Sequence, residues 1–268
     1  MTDLHDAAPE ESAPDAREGA TADATGNPRR REPYRTTLAR LASAQKAAAR
    51  SAPAYSRFVN RRLGRLLAAG AYRLGLTPNQ VTGLSAVATF AGIALLVLFP
   101  ASVGLGVAVT ACLVLGYALD SADGQVARLT GTGSPAGEWL DHMVDATKIA
   151  TMPLALAVGF YRFDTVSRGW LLVPLLHAVA GSVLFFGMIL TEQMRRAAGR
   201  ASVAATGGRL PWLRSALVVP TDYGVLCLAF LLLGAPTVFM TVYTALVVCT
   251  ALFVVAAAAK WYRELRSL

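Results

Sequence analysis

The stretch DSADGQVARLTGTGSPAGEWLDHMVD, residues 120–145, concentrates acidic side chains in a strongly apolar chain. Five of the nine acids that follow residue 33 lie in it, at Asp120, Asp123, Glu138, Asp141 and Asp145. Asp120 and Asp123 are spaced i, i+3, and Asp141 and Asp145 are spaced i, i+4, so each pair projects from one face of a helix. Two antiparallel helices joined by a tight loop would bring the two pairs together.

Four neighbouring aspartates in a membrane protein require a counter-charge. An aspartate at mid-bilayer costs about 2.5–3.5 kcal/mol, whereas a leucine or valine returns only about 0.3–0.6 kcal/mol. Neighbouring carboxylates also repel one another and become protonated unless a cation neutralises them. Because hard oxygen ligands dominate and no His or Cys cluster accompanies them, we expect Mg²⁺ or Mn²⁺ here, with two ions. The alternative is that these acids only cap helices and mark the membrane interface.

The rest of the chain is typical of a membrane protein. Of its 268 residues 54% are hydrophobic and 16% are charged, where soluble domains have about 25% charged residues. A transmembrane helix needs about 20 apolar residues. The predicted fold is therefore an all-α integral membrane protein with six transmembrane helices and an N-terminal juxtamembrane amphipathic helix. The six predicted spans are 80–99, 102–122, 138–160, 169–190, 215–234 and 237–258.

The segments outside the spans differ in charge. Residues 1–33 hold eight acids and few aliphatic side chains, which predicts a disordered tail. Residues 34–74 hold nine Lys or Arg interleaved with apolar residues and no acid, which predicts a basic amphipathic helix on an anionic leaflet. A nucleic-acid-binding arm and a merely solvated helix face are the alternatives. The position directly before a span favours membrane lipids, so we expect no nucleic-acid partner.

The six-span domain then covers 75–260, and 261–268 form a cytoplasmic tail.

Basic residues fall mostly in the loops of one side, which the positive-inside rule assigns to the cytoplasm. Both termini and residues 120–145 are thus predicted to be cytoplasmic, in a protein of the cell membrane. The basic residues assigned to this side are Arg73, Arg128, Arg195, Arg196, Arg200, Arg209, Arg214, Lys260, Arg263 and Arg266.

The glycines and the arginine of the opening stretch fit a phosphate site. Gly124 follows the first aspartate pair and Gly137 stands one turn before Asp141, so each removes a side chain where a ligand or a neighbouring helix must come close. Arg128 beside a metal site suits bidentate binding of phosphate oxygens.

These residues together resemble the signature of the CDP-alcohol phosphotransferase family, D-x2-D-G-x2-A-R-x8-G-x3-D-x3-D. The matching positions are Asp120, Asp123, Gly124, Ala127, Arg128, Gly137, Asp141 and Asp145. The resemblance implies a phospholipid-biosynthesis enzyme that transfers a substituted phosphoryl group from a CDP-linked donor to an alcohol and releases CMP. It also implies a six-helix membrane core, which agrees with the predicted spans, and a homodimer.

The resemblance also implies roles for the single residues. Asp120, Asp123 and Asp141 would hold the metal ions, and Asp145 would help to hold them and act as general base on the acceptor hydroxyl. The chemistry agrees, because a diphosphate leaving group needs cations and an attacking alcohol needs a proton acceptor. The residues expected to line the nucleotide pocket are Gly124, Ala127, Arg128, Gly137, Asn79 and Thr82.

Asn79 and Thr82 come from LTPNQVT, which resembles a further family element before the first span. The alternative for this element is an ordinary helix start, with Thr77 as N-cap and Pro78 at the first helical position.

The sequence is compatible with two pairs of donor and acceptor substrates. TGTGSPAGEWLDH resembles the choline and ethanolamine phosphotransferase branch, which implies a CDP-amino-alcohol donor and diacylglycerol as acceptor. Enzymes that use CDP-diacylglycerol share the core motif equally, and this phosphatidyl transfer is the reaction we expect. Glu138 falls outside the core pattern, and its GSPAGE context bears on the branch rather than on the metal.

Further polar residues are candidates near the acceptor or in the spans. Asp222, Arg195 and Arg196 are predicted to contact the acceptor, although the positive-inside rule also explains the two arginines. His177 is either functional or hydrogen-bonded to a neighbouring helix. His142 is expected to point to a different helix face from Asp141 and to have a supporting role.

A transporter or ion channel is the distant alternative, because intramembrane acids also serve such proteins. Those proteins place their acids along a path across the bilayer. Here the acids cluster at one interface, which favours an enzyme.

Overall fold

The computed structural model describes residues 32–43, 54–200 and 221–267, and within these ranges the chain is helical with no strand. The all-α prediction is thereby confirmed. The predicted tail over residues 1–33 lies outside the described residues, apart from its last two. The helices are α1 Tyr34–Ser43, α2 Arg61–Leu74, α3 Pro78–Leu98, α4 Val103–Thr130, α5 Pro135–Arg162, α6 Leu172–Ala197, α7 Tyr223–Ala229 and α8 Pro236–Leu265.

Short irregular turns extend three of these helices. A π-helical turn, Ser56–Asn60, precedes α2, and 3₁₀ turns precede α6 at Arg168–Leu171 and follow α7 at Phe230–Gly234.

Five helices of the described ranges are long and apolar enough to cross a membrane: α3, α4, α5, α6 with its leading turn, and α8. They correspond to five of the six predicted spans. The remaining prediction, 215–234, lies partly outside the described residues. Its described part is the apolar helix Tyr223–Gly234, which is shorter than the about 20 residues that a span needs.

The opening stretch is helical almost throughout. α4 continues to Thr130 and α5 begins at Pro135, so both helices extend beyond the predicted spans 102–122 and 138–160. Gly131 ends α4 in the left-handed conformation, with a φ of 67°, which glycine adopts without strain. Ser134 caps α5 by accepting a 3.1 Å hydrogen bond from the N–H of Gly137. The loop between the two helices is therefore tight, as the sequence predicts.

The two helices that carry the aspartates both pack against α3 and make few direct contacts with each other. At the α3–α4 contact, the Ser85 hydroxyl donates a 2.9 Å hydrogen bond to the carbonyl of Gly116. At the α3–α5 contact, Gly159 lies against the backbone carbonyl of Leu96. The absence of a side chain at Gly116 and Gly159 permits this close approach. As a result, α4 and α5 are positioned by α3 rather than by direct packing on each other.

The apolar core lies at the opposite end of α4 and α5 from the aspartates. Val109 and Leu113 of α4 and Leu156 of α5 are buried there, packed with Phe230 and Tyr243 of the C-terminal helices. This core fixes the relative positions of the spans, so the polar end is built on a packed scaffold.

The basic segment 34–74 differs from the prediction of a single helix. Its described residues form two helices, and the Tyr34 hydroxyl of α1 donates a 3.0 Å hydrogen bond to the carbonyl of Leu66 in α2. A continuous helix would separate these residues by about 48 Å at 1.5 Å per residue, so the chain must fold back. In α2, Ala68 and Ala69 are buried while Arg62 is exposed, so this helix has a buried apolar face and an exposed charged face.

Candidate active site

The four motif aspartates lie close enough for their charges to interact. Asp120 and Asp123 stand on α4, and Asp141 and Asp145 stand on α5. Asp123 is repelled by Asp120 and Asp141, and Asp120 is repelled by Asp145. The chain therefore gathers four carboxylates from two helices that make few direct contacts, and a cation would relieve the repulsion between them.

Asp123 is held in a fixed orientation. Its Oδ2 accepts a 2.6 Å hydrogen bond from the Thr82 hydroxyl of α3, and its Oδ1 accepts a 2.5 Å bond from the N–H of Gly124. The residue is only 6% exposed. Thr82 was predicted to face the nucleotide, but its hydroxyl is engaged with this carboxylate and with the carbonyl of Pro78.

Lys148 also belongs to this cluster, although the sequence did not predict it as a site residue. Its Nζ lies 2.5 Å from Oδ1 of Asp145 and 3.2 Å from Oδ1 of Asp120. The ammonium thus bridges α4 and α5 at the centre of the motif. A lysine three residues after the last motif aspartate, inside an apolar span, was the signal in the sequence.

The aspartates of α5 form a group that can hold a metal ion. One ligand atom each from Asp141, His142 and Asp145 lie within 4.8 Å of one another. Nδ1 of His142 is buried without a hydrogen-bond partner among the described residues, although the ring contacts Phe185 edge to face. Carboxylate oxygens with an imidazole nitrogen fit a divalent cation such as Mn²⁺. His142 directly follows Asp141 on α5, so the two side chains leave the helix in different directions, yet ligand atoms of both lie within 4.8 Å of each other.

Several residues predicted to bind the nucleotide lie at the starts of α3 and α5 and in the last turns of α4. A side chain on Gly137 would meet Oδ1 of Asn79 at 3.0 Å, so the starts of α3 and α5 are adjacent here. On α4, the Arg128 guanidinium lies beside Gly124, where an added Cβ would be 3.3 Å from Nη1. Ala127 occupies the same turn. The missing side chains let Asn79 and Arg128 lie against the backbone of these two glycines.

The start of α3 also has the conventional cap. Thr77 Oγ1 accepts a hydrogen bond from the N–H of Gln80, and the Thr77 N–H donates to Oε1 of Gln80. Thr77 and Pro78 are thus explained by helix initiation, and Asn79 is left exposed.

Asp222, which was expected near the acceptor, is buried against backbone donors of the chain. The residue is 1% exposed, and its Oδ2 accepts hydrogen bonds from the N–H groups of Tyr55 at 2.8 Å and Ser56 at 3.3 Å. Its Oδ1 accepts from the N–H of Gly224 at 3.0 Å, which caps α7. Both oxygens are occupied by backbone donors, so Asp222 joins the turn before α2 to the start of α7.

Arg195 and Arg196 are engaged with carboxylates of the protein. Arg195 pairs with Glu264 of α8. Arg196 lies 2.9 Å from Glu138 of α5 and 3.5 Å from Glu192. These pairs join α6 to α5 and α8 and engage both guanidinium groups with carboxylates of the chain. They also give Glu138 a partner outside the motif.

His177 is explained by packing. Its Nδ1 lies 2.7 Å from the hydroxyl of Tyr243 on α8. This is the neighbouring-helix hydrogen bond that the sequence left as one of two options.

Comparisons with known proteins bear on the family and the fold of this chain. The model of the CDP-alcohol phosphatidyltransferase family matches residues 75–262. Among solved structures, the chain is similar to the phosphatidylinositol phosphate synthase of Mycobacterium tuberculosis with CDP-DAG bound, at 24% identity and a TM-score of 0.51. That likeness covers 76% of this chain and 94% of the synthase. No curated protein sequence gives a significant match.

Proposed function

Because the chain belongs to the CDP-alcohol phosphatidyltransferase family, we propose that it transfers a phosphatidyl group from CDP-diacylglycerol to an alcohol at the carboxylate cluster of α4 and α5. The family makes the protein a transferase of phospholipid biosynthesis in the membrane. The observation that carries the proposed site is the convergence of four aspartates, two from each helix, with Arg128 beside Gly124 and Asn79 beside Gly137.

The reaction exchanges one phosphate ester bond for another. The acceptor oxygen attacks the lipid-side phosphorus of the CDP-linked donor, and the bond from this phosphorus to the oxygen of CMP breaks. The acceptor proton passes to a carboxylate, for which we assign Asp145. A general base must lie within hydrogen-bond reach of the hydroxyl it deprotonates, and Asp145 faces the gap between α4 and α5, where Lys148 also lies.

The metal ligands in this proposal are Asp120, Asp123, Asp141 and Asp145, with Mg²⁺ or Mn²⁺ as the cation and two ions for the four carboxylates. When bound, such ions neutralise the negative charge that develops on the leaving CMP. The chain's own part is to hold the carboxylates in place, through Thr82 on Asp123 and through Lys148 on Asp120 and Asp145. The nearby ring of His142 is a further ligand candidate.

We assign the nucleotide pocket to the region beside the starts of α3 and α5 and the end of α4. Arg128 offers a planar fork of N–H donors that suits phosphate oxygens, and Asn79 offers an amide that can both donate and accept. Gly124, Ala127 and Gly137 present little side-chain bulk to the bound CDP. Thr82 contributes by orienting Asp123.

CDP-diacylglycerol as the donor draws support from the M. tuberculosis synthase, whose structure contains CDP-DAG. The second candidate is transfer from a CDP-amino-alcohol to diacylglycerol, which the GSPAGEWLDH run favours. For the acceptor, the ion pairs of Arg195 and Arg196 favour an alcohol without a phosphate group.

We also propose a membrane location, a lipid contact and an assembly for this protein. The basic loop residues favour a cell-membrane protein with both termini and the cluster on the cytoplasmic side. Exposed Arg62 and Leu66 of α2 favour contact of the basic segment with anionic lipids. Pairing of two copies in a homodimer is the expected assembly. In this arrangement residues 75–260 form the catalytic domain and 261–268 a cytoplasmic tail.

A lipid-product assay tests the donor. Purified protein is supplied with CDP-diacylglycerol and a panel of alcohols, and in parallel with CDP-choline or CDP-ethanolamine and diacylglycerol, each with Mg²⁺ or Mn²⁺. We expect CMP and a new phospholipid, identified by mass spectrometry, only in the first set. Product from the second set alone would establish the alternative reaction, and no CMP from either set would contradict the proposed function.

A further inference from the structure

Lys148 occupies an unusual position for a basic side chain. It lies well inside α5, about 20 Å along the helix from Pro135 at 1.5 Å per residue. It is 5% exposed. Its ammonium also lies 5.3 Å from the centre of the Tyr223 ring, a distance at which a cation is attracted to the ring face. An aromatic ring is thus a further neighbour of this buried charge.

The two carboxylates that Lys148 contacts belong to different helices. Asp120 is on α4, and Asp145 is on α5, one turn before the lysine. Since α4 and α5 make few direct contacts, this bridge joins them at the level of the motif. A buried ammonium with two carboxylate partners is compensated, whereas either carboxylate alone would be costly.

The same two carboxylates are assigned above to the metal ions and to proton transfer. We propose that Lys148 is a positioning residue and a built-in counter-ion: it holds Asp145 against Asp120, and it competes with the divalent metal for both carboxylates. This inference rests on the proposed function for the role of Asp145, but the competition concerns metal binding alone. The group that competes with the metal ion is thus the ammonium of Lys148, which belongs to the chain itself.

Lys148 therefore has opposite effects on two properties: it weakens metal binding and it improves the placement of Asp145. Removing the ammonium takes away a positive charge that repels an incoming divalent cation, so the metal binds more tightly. The same change releases Asp145 from its bridge to α4, so turnover falls because the base is less well placed. A purely structural lysine would lower stability without tightening metal binding.

The test is Mn²⁺ binding to the purified full chain without any substrate, measured by electron paramagnetic resonance. Lys148→Met removes the charge with similar length, and Lys148→Gln removes it while keeping hydrogen-bond donors to the carboxylates. Lys148→Arg keeps the charge. Lys260→Met makes the same chemical change at an exposed position of α8 and is the matched control.

We expect the Mn²⁺ dissociation constant to fall by about 10-fold or more in the two neutral variants, on Coulombic grounds. It should stay within about 2-fold of wild type in Lys148→Arg and Lys260→Met. An unchanged or weaker Mn²⁺ affinity in a folded neutral variant overturns the inference. Failure of both neutral variants to fold also overturns it, because the charge would then serve folding.

Phosphatidyl transfer by the wild-type protein is measured separately. If the wild type transfers and the neutral variants do not tighten Mn²⁺ binding, the inference fails and the proposed function stands. If binding tightens but the wild type shows no transfer, the proposed function fails and the metal competition stands.

Discussion

Thr82 on α3 donates a 2.6 Å hydrogen bond to Oδ2 of Asp123 on α4. The first span therefore orients one of the four carboxylates directly. Its neighbour Asn79, one turn earlier, stands beside Gly137 at the start of α5. α3 thus links both halves of the motif, which explains why the two motif helices need not pack on each other.

Thr82→Val should weaken metal activation. The substitution keeps the shape of the side chain and removes the donor to Asp123, and loss of a group that orients a metal ligand costs about 10–100-fold in affinity or activity. We expect the Mg²⁺ concentration for half-maximal CMP release to rise about 10-fold. Thr82→Ser retains the hydroxyl and should behave as wild type. Equal Mg²⁺ requirements in both variants would show that Asp123 needs no such orientation.

Asp222→Asn should lower stability without affecting the acceptor. Three backbone N–H groups bond to this carboxylate, and weakening such buried bonds costs about 1–3 kcal/mol. The measurement is the melting temperature in detergent, together with the KM for the acceptor. Asp164→Asn, at an exposed position, is the control. An unchanged melting temperature with a higher acceptor KM would restore Asp222 to the substrate site.

Arg196→Gln should have little effect on either stability or catalysis. Its pair with Glu138 is about half exposed on both sides, and exposed pairs contribute about 0–1 kcal/mol. We expect the KM for the acceptor to stay within about 2-fold of wild type, and Glu138→Gln should give the same result. A rise of about 10-fold in acceptor KM, confined to the Arg196 variant, would mean that this guanidinium binds the acceptor.

Removal of divalent metal should abolish turnover and lower thermal stability. A chelator leaves the carboxylates of the cluster to repel one another, and a ligand that binds only the folded chain stabilises it. Activity should return with Mg²⁺ or Mn²⁺, and the melting temperature should rise with the concentration of the added ion. Full CMP release in excess chelator would contradict the metal-dependent mechanism.

The sequence predicted the helical class and the gathering of the aspartates because both depend on local patterns. Apolar length marks a span, and i, i+3 and i, i+4 spacing marks a helix face. The contacts of Asp222 with Tyr55 and Ser56 could not be predicted, because they join residues separated by more than 160 positions. Similarly, the bridging role of Lys148 depends on how α4 and α5 are set around α3. The proximity of His142 to the aspartates of α5 depends on its side-chain rotamer, which helix spacing alone does not predict.

The most direct test of the central claim is the rate of CMP release from CDP-diacylglycerol by Asp145→Asn, with Mg²⁺ and the acceptor alcohol that supports wild-type turnover. The amide keeps the size of the side chain but cannot accept the hydroxyl proton, and general-base catalysis is worth about 10²–10⁴-fold. The variant should keep its helical content and melting behaviour and lose at least about 100-fold in rate. A folded Asp145→Asn protein that releases CMP at the wild-type rate would contradict the assignment of this cluster as the site of transfer.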